Sequence, residues 1–185
     1  MTELSDMDIS QNYFELFDIP VGFELDLSML RRKYQELQKV THPDRYASAS
    51  EQERLLSVQK AALINDAFTT LKHPLSRAKY LLQLHGVNYD DEKNTIADGA
   101  FLMQQMELRE AIASIPGTKD PYGAAAQVIE EIEKHMRGLY GFLQREFEVL
   151  IPGAPVEEML DAIRKLQFFE KLRHEAELVE SKLDD

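Results

Sequence analysis

The chain has no cysteine among its 185 residues. Disulfides, thiolate catalysis and thiolate ligation of zinc or iron–sulfur clusters by this chain are therefore excluded. No apolar run approaches the ~18 residues that a membrane span requires. The first ten residues, MTELSDMDIS, are acidic and contain no apolar signal segment. We therefore expect a cytoplasmic protein without a membrane anchor.

The usual motifs of small-molecule chemistry are also missing. The 8 glycines form no phosphate-binding loop, and no GxSxG nucleophile motif occurs. The 5 histidines, at 42, 73, 85, 135 and 174, lack the spacing of a zinc site. Glu107 and Glu110 stand three residues apart like a carboxylate pair, but no pocket signature accompanies them. The sequence therefore predicts no metal, no cofactor and no enzymatic activity.

The net charge of −12 is unevenly distributed along the chain. Residues 1–85 hold 10 Lys/Arg against 12 Asp/Glu, whereas residues 86–185 hold 11 against 21. An acidic second half argues against nucleic-acid binding, because neutralising phosphates requires a basic surface. Ordinary solubility charge explains the imbalance equally well.

Apolar residues recur at the three- and four-residue spacing of helices through the first half. A short helix is predicted from Asn12 to Asp18. The next begins at the N-cap Asp26 and presents an apolar stripe of Leu27, Leu30, Tyr34, Leu37 and Thr41. A third begins with the capping box of Ser50 and Glu53, and its predicted core face is Leu55, Val58, Ala62, Asn65, Phe68 and Leu71. A fourth runs from Pro74 to Leu84 and is closed by Gly86.

Residues 86–96, GVNYDDEKNTI, are polar and rich in turn formers, which indicates a linker. Three longer helices are predicted after it, at 97–114, 122–150 and 156–183. The segments between them, 115–123 and 151–155, are rich in proline and glycine. Short connections of this kind favour an antiparallel three-helix bundle.

A histidine, a proline and a carboxylate follow the second predicted helix: His42, Pro43 and Asp44, called the tip below. Pro43 disfavours the helical conformation for His42 and fixes the turn, so the two polar side chains have little entropy to lose on binding. A second face of the helix carries Arg31, Gln35 and Gln38 in line with His42, with Arg32 and Lys39 beside them. We call Arg31, Arg32 and Lys39 the basic face. It suits electrostatic docking on an acidic protein surface, although surface charges more often only solvate a helix.

This arrangement of helix, basic helix, His-Pro-Asp and helix resembles the J-domain of DnaJ-type co-chaperones. The segment Ile64–Leu71 (INDAFTTL), with Pro74, Arg77, Ala78 and Tyr80, resembles the third J-domain helix and its extension. The resemblance implies that His42, Pro43 and Asp44, supported by Arg31, Arg32 and Lys39, contact an ATPase of the DnaK type and stimulate its ATP hydrolysis.

The helix around residues 101–110 has two apolar sides. Phe101, Leu108, Ile112 and Ile115 fall within about 40° of one direction and form the predicted core face. A second side carries Leu102, Met103 and Met106, together with Glu107 and Glu110. One helix of a three-helix bundle buries only one side, so the second is a candidate protein-binding surface. The alternative is that these residues pack against a neighbouring helix.

The second half also resembles a known family, the HscB-type J-domain co-chaperones of iron–sulfur cluster assembly. The resembling stretches are Thr95–Arg109, Tyr80–Gly86 and Arg164–Leu172, and the overall likeness covers roughly residues 11–183. It implies that the cluster scaffold protein binds the patch formed by Leu102, Met103, Met106, Glu107, Glu110 and Phe168. Ser114 stands where the family pattern has a further acid, so the pattern is incomplete at that edge.

Together these features predict an all-α, L-shaped protein with a J-domain at 1–85, a linker at 86–96 and a three-helix scaffold-binding domain at 97–185. The predicted function is to bind an IscU-type iron–sulfur cluster scaffold and deliver it to an HscA/DnaK-type chaperone whose ATPase it stimulates. No nucleic-acid, membrane or metal partner is expected. One alternative is a general J-domain co-chaperone whose acidic bundle dimerises or binds unfolded clients. Another is a small helical metal carrier.

Overall fold

The computed structural model describes residues 11–87 and 98–184, and the regular structure in these residues is helical. The chain divides between Leu84 and His85 into two compact units. The first contains α1 (Tyr13–Leu16), α2 (Leu27–Thr41), α3 (Glu51–Lys72) and α4 (Pro74–Leu84). The second contains α5 (Gly99–Ser114), α6 (Pro121–Val149) and α7 (Glu157–Ser181). Short 3₁₀ turns occupy Pro43–Tyr46, Ile115–Gly117 and Lys182–Asp184. The predicted all-α fold is confirmed.

Local capping sets the helix starts in the first unit. The side chain of Asp26 accepts hydrogen bonds from the first-turn amides of α2, and Ser50 forms a reciprocal capping box with Glu53. The hydroxyl and amide of Ser50 lower the pKa of the Glu53 carboxyl by hydrogen bonding to it. The first helix is shorter than predicted. It ends at Leu16 because Asp18 has a φ of 51°, in the left-handed region, which a helix cannot continue through.

The core of the first unit lies between α2, α3 and α4. Leu30, Ile64 and Leu71 are fully buried there, and the rings of Tyr34 and Phe68 stack at 4.0 Å between α2 and α3. The predicted side of α2 faces inward: Leu30 and Thr41 are buried and Tyr34 and Leu37 are half-buried, whereas Leu27 remains 41% exposed at the first position.

Helix α1 is held on α4 by a pair of aromatic residues. The rings of Tyr13 and Tyr80 stack at 4.4 Å, and the amide of Tyr13 donates to the Tyr80 hydroxyl at 2.9 Å. Burial raises the pKa of the Tyr80 phenol. This contact fixes the position of α1 against α4.

The predicted core face of α3 is wrong over most of the helix. Leu55 and Val58 are 59% and 52% exposed, and Ala62 and Asn65 are exposed as well. The buried residues are instead Ser57, Lys60, Ile64, Ala67 and Leu71. Ser57 tolerates burial because its hydroxyl donates to the carbonyl of Arg54 in the same helix at 2.8 Å. The prediction counted large apolar side chains, but the positions of α2 and α4 decide which side of α3 is covered.

The second unit is a bundle of α5, α6 and α7 whose helix bounds agree with the predicted ones within two residues. Phe101, Leu108, Ile112 and Ile115 are at most 4% exposed, as the periodicity predicted. The ring of Phe169 packs edge-on against Phe101 at 5.5 Å. These contacts join α5 to α7 in the core of the bundle.

The start of α5 is tied to α7 by an ion pair. Asp98 accepts from the amides of Ala100 and Phe101, and its carboxylate lies 2.7 Å from the ammonium of Lys165. The hydrogen bond from Lys165, with those from the helix amides, lowers the pKa of the Asp98 carboxyl. The cap therefore both starts the helix and anchors it to its neighbour.

The predicted linker, 86–96, lies outside the described residues from position 88 onward. Gly86, which follows α4, has a φ of 80°, the conformation expected of a glycine that ends a helix. None of the helices in residues 11–87 and 98–184 combines the length and apolar character needed to cross a membrane.

Candidate functional site

The tip lies where α2 ends and a 3₁₀ turn begins. His42 is both the C-cap of α2 and the N-cap of the turn, and its side chain is 59% exposed. The side chain of Asp44 is 91% exposed, with a carboxylate oxygen 3.6 Å from Nδ1 of His42. The same Nδ1 accepts from the amide of Asp44 at 3.3 Å. The imidazole and the carboxylate therefore stand side by side and are open to a partner.

Two side chains just after the tip bind back to the end of α2. The guanidinium of Arg45 donates to the carbonyl of Lys39 at 2.8 Å, and the hydroxyl of Tyr46 donates to the carbonyl of Val40 at 3.0 Å. Carbonyls in the last turn of a helix have no partner within the helix, so these bonds satisfy them. The sequence reasoning missed both residues. A cation shortly after a helix end is the one local signal that could have indicated Arg45.

The basic face is exposed along α2. Arg31, Arg32 and Lys39 all lie on its solvent side, whereas Leu30 is fully buried on the opposite side. Lys33 is less exposed and pairs with Asp18 at 2.9 Å. The structure thus gathers the three predicted cations on the helix that ends at the tip, as electrostatic docking requires.

The second side of α5 is exposed rather than covered by a neighbouring helix. Leu102, Met103 and Met106 are 46%, 65% and 71% exposed. Phe101 and Leu108, on the other side of the same helix, are 4% and 3% exposed. A contiguous Leu/Met surface of this kind is energetically costly in water and is relieved when a partner covers it.

The other residues predicted for this surface are two carboxylates on the same helix and one aromatic ring on α7. Glu107 and Glu110 are exposed on α5, and Phe168 of α7 is half-buried. The Phe168 ring packs edge-on against Phe101 at 5.8 Å, and the guanidinium of Arg109 lies 5.3 Å from its centre. Leu102, Met103, Met106, Glu107, Glu110 and Phe168 are called the apolar patch below.

Two further residues, Arg109 and Ser114, lie at the apolar patch. Arg109, the neighbour of Phe168, was not identified from the sequence, because the contact joins two helices that are far apart in the chain. Ser114, at the predicted edge of the patch, is exposed and donates to the carbonyl of Ala111 in its own helix at 2.8 Å.

Both surfaces are open to solvent, and each lies wholly within one unit: the tip in the first and the apolar patch in the second. Within residues 11–87 and 98–184, no three histidine, aspartate or glutamate side chains are grouped so as to hold a metal ion.

Comparison with known proteins gives a consistent result over nearly the whole chain. The family profile described as "HSCB C-terminal oligomerisation domain" matches residues 97–177. A co-chaperone protein HscB homolog of Photobacterium profundum is 46% identical over 174 residues, which cover 94% of this chain and 99% of the relative. The solved structure of chaperone HscB from Vibrio cholerae has a TM-score of 0.80 at 42% identity and covers 94% of this chain and 99% of its own. The crystal structure of human co-chaperone protein HscB has a TM-score of 0.82 at 29% identity, with coverage of 92% and 83%.

Proposed function

The chain belongs to the HscB family of co-chaperones, and we propose that it couples an HscA/DnaK-type ATPase to an IscU-type iron–sulfur cluster scaffold. In this proposal the first unit contacts the ATPase through the tip and the basic face. The second unit binds the scaffold through the apolar patch. The cluster is cargo carried by the scaffold and is not held by this chain.

The exposure of Leu102, Met103 and Met106 is the observation that carries the proposal. Burying a side chain of this size contributes about 1.5–3 kcal/mol, and each of the three has roughly half to two-thirds of its surface still to bury. A folded partner that covers them gains about 1–2 kcal/mol from each. Such gains are typical of the few residues that dominate a protein–protein interface.

The geometry at the border of the apolar patch favours one defined partner over indiscriminate hydrophobic binding. Glu107 and Glu110 place negative charge along one edge, so a scaffold with basic residues at its rim is selected. Phe168 is held between Phe101 and Arg109 and offers a rigid ring. A rigid aromatic anchor loses little entropy on binding.

The exposed tip supports the assignment to the ATPase. His42 and Asp44 are adjacent and solvent-facing, and the basic face provides positive charge on the same helix. Positive charge accelerates encounter with an acidic surface, and the tip then makes the specific contact. In this proposal ATP is hydrolysed in the partner, and this chain supplies no catalytic group to the reaction.

Coupling follows from having both surfaces on one chain. A scaffold bound to the apolar patch is carried to the ATPase at a high effective concentration. Tip-stimulated hydrolysis then changes the state of the ATPase while the scaffold is close to it.

A pair of binding and kinetic measurements tests the proposal. Calorimetry with a purified IscU-type scaffold should show one-to-one binding to the wild-type chain, and ATP turnover by purified HscA should rise when the chain is added. Leu102→Ala combined with Met106→Ala should weaken scaffold binding. Leu178→Ala is the matched control, because Leu178 is 45% exposed on α7 but lies outside the apolar patch. Equal affinity of wild type and double variant for the scaffold would contradict the proposal.

The family profile names its domain for oligomerisation, which favours self-association of the second unit as a second candidate function. The same apolar patch would then be covered by another copy of the chain. Sedimentation equilibrium decides between the two. A monomer that binds one scaffold supports the proposed function, whereas a dimer that dissociates on Met106→Ala and ignores the scaffold supports self-association.

A further inference from the structure

The chain on both sides of the tip is connected to the last turn of α2, covalently before the tip and by hydrogen bonds after it. On one side it is continuous with α2, and on the other Arg45 and Tyr46 donate to the carbonyls of Lys39 and Val40 at 2.8 and 3.0 Å. The amide of Arg45 also donates to the carbonyl of His42 at 3.0 Å. The tip is therefore a short closed loop rather than a free connection between α2 and α3.

We propose that Tyr46, with help from Arg45, is a positioning residue that holds His42 and Asp44 in the conformation that engages the ATPase. The inference rests on the proposed function of the tip. The inference adds that residues outside the His-Pro-Asp tripeptide determine what fraction of the molecules has the tip in the conformation that binds the ATPase.

The physical argument starts from exposure. The side chains of His42 and Asp44 are 59% and 91% exposed, so packing does little to fix them. Tyr46 and Val40 are half-buried, and the bond between them is partly shielded from water. A shielded hydrogen bond keeps more of its strength than an exposed one. Tyr46 is thus the firmest attachment of an otherwise solvated loop.

The expected effect on binding follows from population arithmetic. If loss of the Tyr46 bond lets the tip leave its competent conformation, the apparent affinity falls in proportion to the competent fraction. A single hydrogen bond typically changes such an equilibrium by about two- to tenfold, so about tenfold is the largest loss of apparent affinity that the Tyr46 bond accounts for. Once the ATPase has bound, the tip is in place again, so the maximal rate is retained.

The test compares Tyr46→Phe with Tyr34→Phe. Both changes remove one tyrosine hydroxyl that links elements of the first unit, since Tyr34 donates to Asn65 at 2.9 Å between α2 and α3. ATP turnover by purified HscA is measured against the concentration of each variant. Tyr46→Phe should raise the half-saturating concentration, by up to about tenfold, with an unchanged maximal stimulation. Tyr34→Phe should leave both values at the wild-type level.

Amide hydrogen exchange provides a readout that does not depend on the ATPase. Tyr46→Phe should accelerate exchange at Asp44 and Arg45 while the amide of Ile64, in the core part of α3, is unchanged. Arg45→Met should have the same local effect. The Arg45→Met variant is judged by hydrogen exchange alone, because loss of the Arg45 charge would also alter electrostatic association with the ATPase.

The outcomes separate the positioning role from its alternatives. Unchanged exchange at Asp44 and Arg45 overturns the proposal, and so does a half-saturating concentration that matches that of Tyr34→Phe. A reduced maximal stimulation at wild-type half-saturation also overturns it, because Tyr46 would then act by direct contact. If the wild-type chain itself fails to stimulate HscA, the proposed function fails, and the exchange data still decide whether Tyr46 holds the tip.

Discussion

Truncating Leu102 and Met106 to alanine should weaken scaffold binding by about 2–3.5 kcal/mol. A buried side chain of this kind contributes about 1.5–3 kcal/mol in full, and the two residues have 46% and 71% of their surfaces left to bury. The loss corresponds to a roughly 30- to 300-fold higher Kd. Adding Phe168→Ala should cost about 1–2 kcal/mol more, as expected of an aromatic anchor.

Calorimetry with an IscU-type scaffold measures this change directly, and thermal unfolding followed by circular dichroism checks the fold. Leu102 is about half-buried and Met106 is mostly exposed, so on the same scale the double truncation should also cost about 1–2.5 kcal/mol of stability. The melting curve checks that the variant remains folded at the temperature of the binding measurement. Leu178→Ala removes an equally exposed leucine from the same unit and should bind like wild type. A double variant whose Kd stays within threefold of wild type would refute the reasoning, because the exposed surface would then contribute nothing to the interface.

Three further predictions concern the tip, the cap of α5 and the core of the second unit. His42→Gln or Asp44→Asn should abolish stimulation of the partner ATPase in a turnover assay while calorimetry shows unchanged scaffold binding; retained stimulation in either variant would exclude the tip as the contact. Asp98→Asn should lower the melting temperature at pH 7, since Lys165 lowers the pKa of the Asp98 carboxyl. That stabilisation is present above the ordinary pKa of an aspartate and is lost as the pH falls through the lowered pKa of Asp98, so the difference from wild type should shrink as the pH falls below the ordinary pKa; a difference that does not depend on pH would contradict this assignment. Phe169→Ala should destabilise the chain by about 3–5 kcal/mol in urea unfolding, because the ring is 2% exposed and its removal leaves a cavity; a loss below 1 kcal/mol would show that the core relaxes around it.

Features that depend on neighbours in the chain were predictable from the sequence. The caps at Asp26 and Ser50 act on amides two or three residues away, so the residue types alone located two helix starts. The tip is equally local, since Pro43 disfavours the helical conformation for the preceding His42 and so ends α2. The regular recurrence of Phe101, Leu108 and Ile112 likewise identified the core face of α5.

Features that depend on distant parts of the chain were decided by the tertiary structure. The periodicity of α3 favoured Leu55 and Val58 as core, but the surrounding helices cover Ser57 and Lys60 instead. The contact of Arg109 with Phe168 joins α5 to α7 and leaves no local signature. The bonds by which Arg45 and Tyr46 hold the end of α2 depend on how the chain turns after the tip.

The apolar patch shows both contributions in one element. The sequence determined that α5 has two apolar sides, because side-chain direction along a helix follows from spacing alone. Whether the second apolar side is covered as well depends on where α6 and α7 lie, and they bury Phe101 but leave Met106 71% exposed. Helix formation is governed by interactions over a few residues, whereas solvent exposure is governed by long-range packing. The sequence therefore determined the helices and the tip, and only the tertiary structure decided which apolar surface is available to a partner.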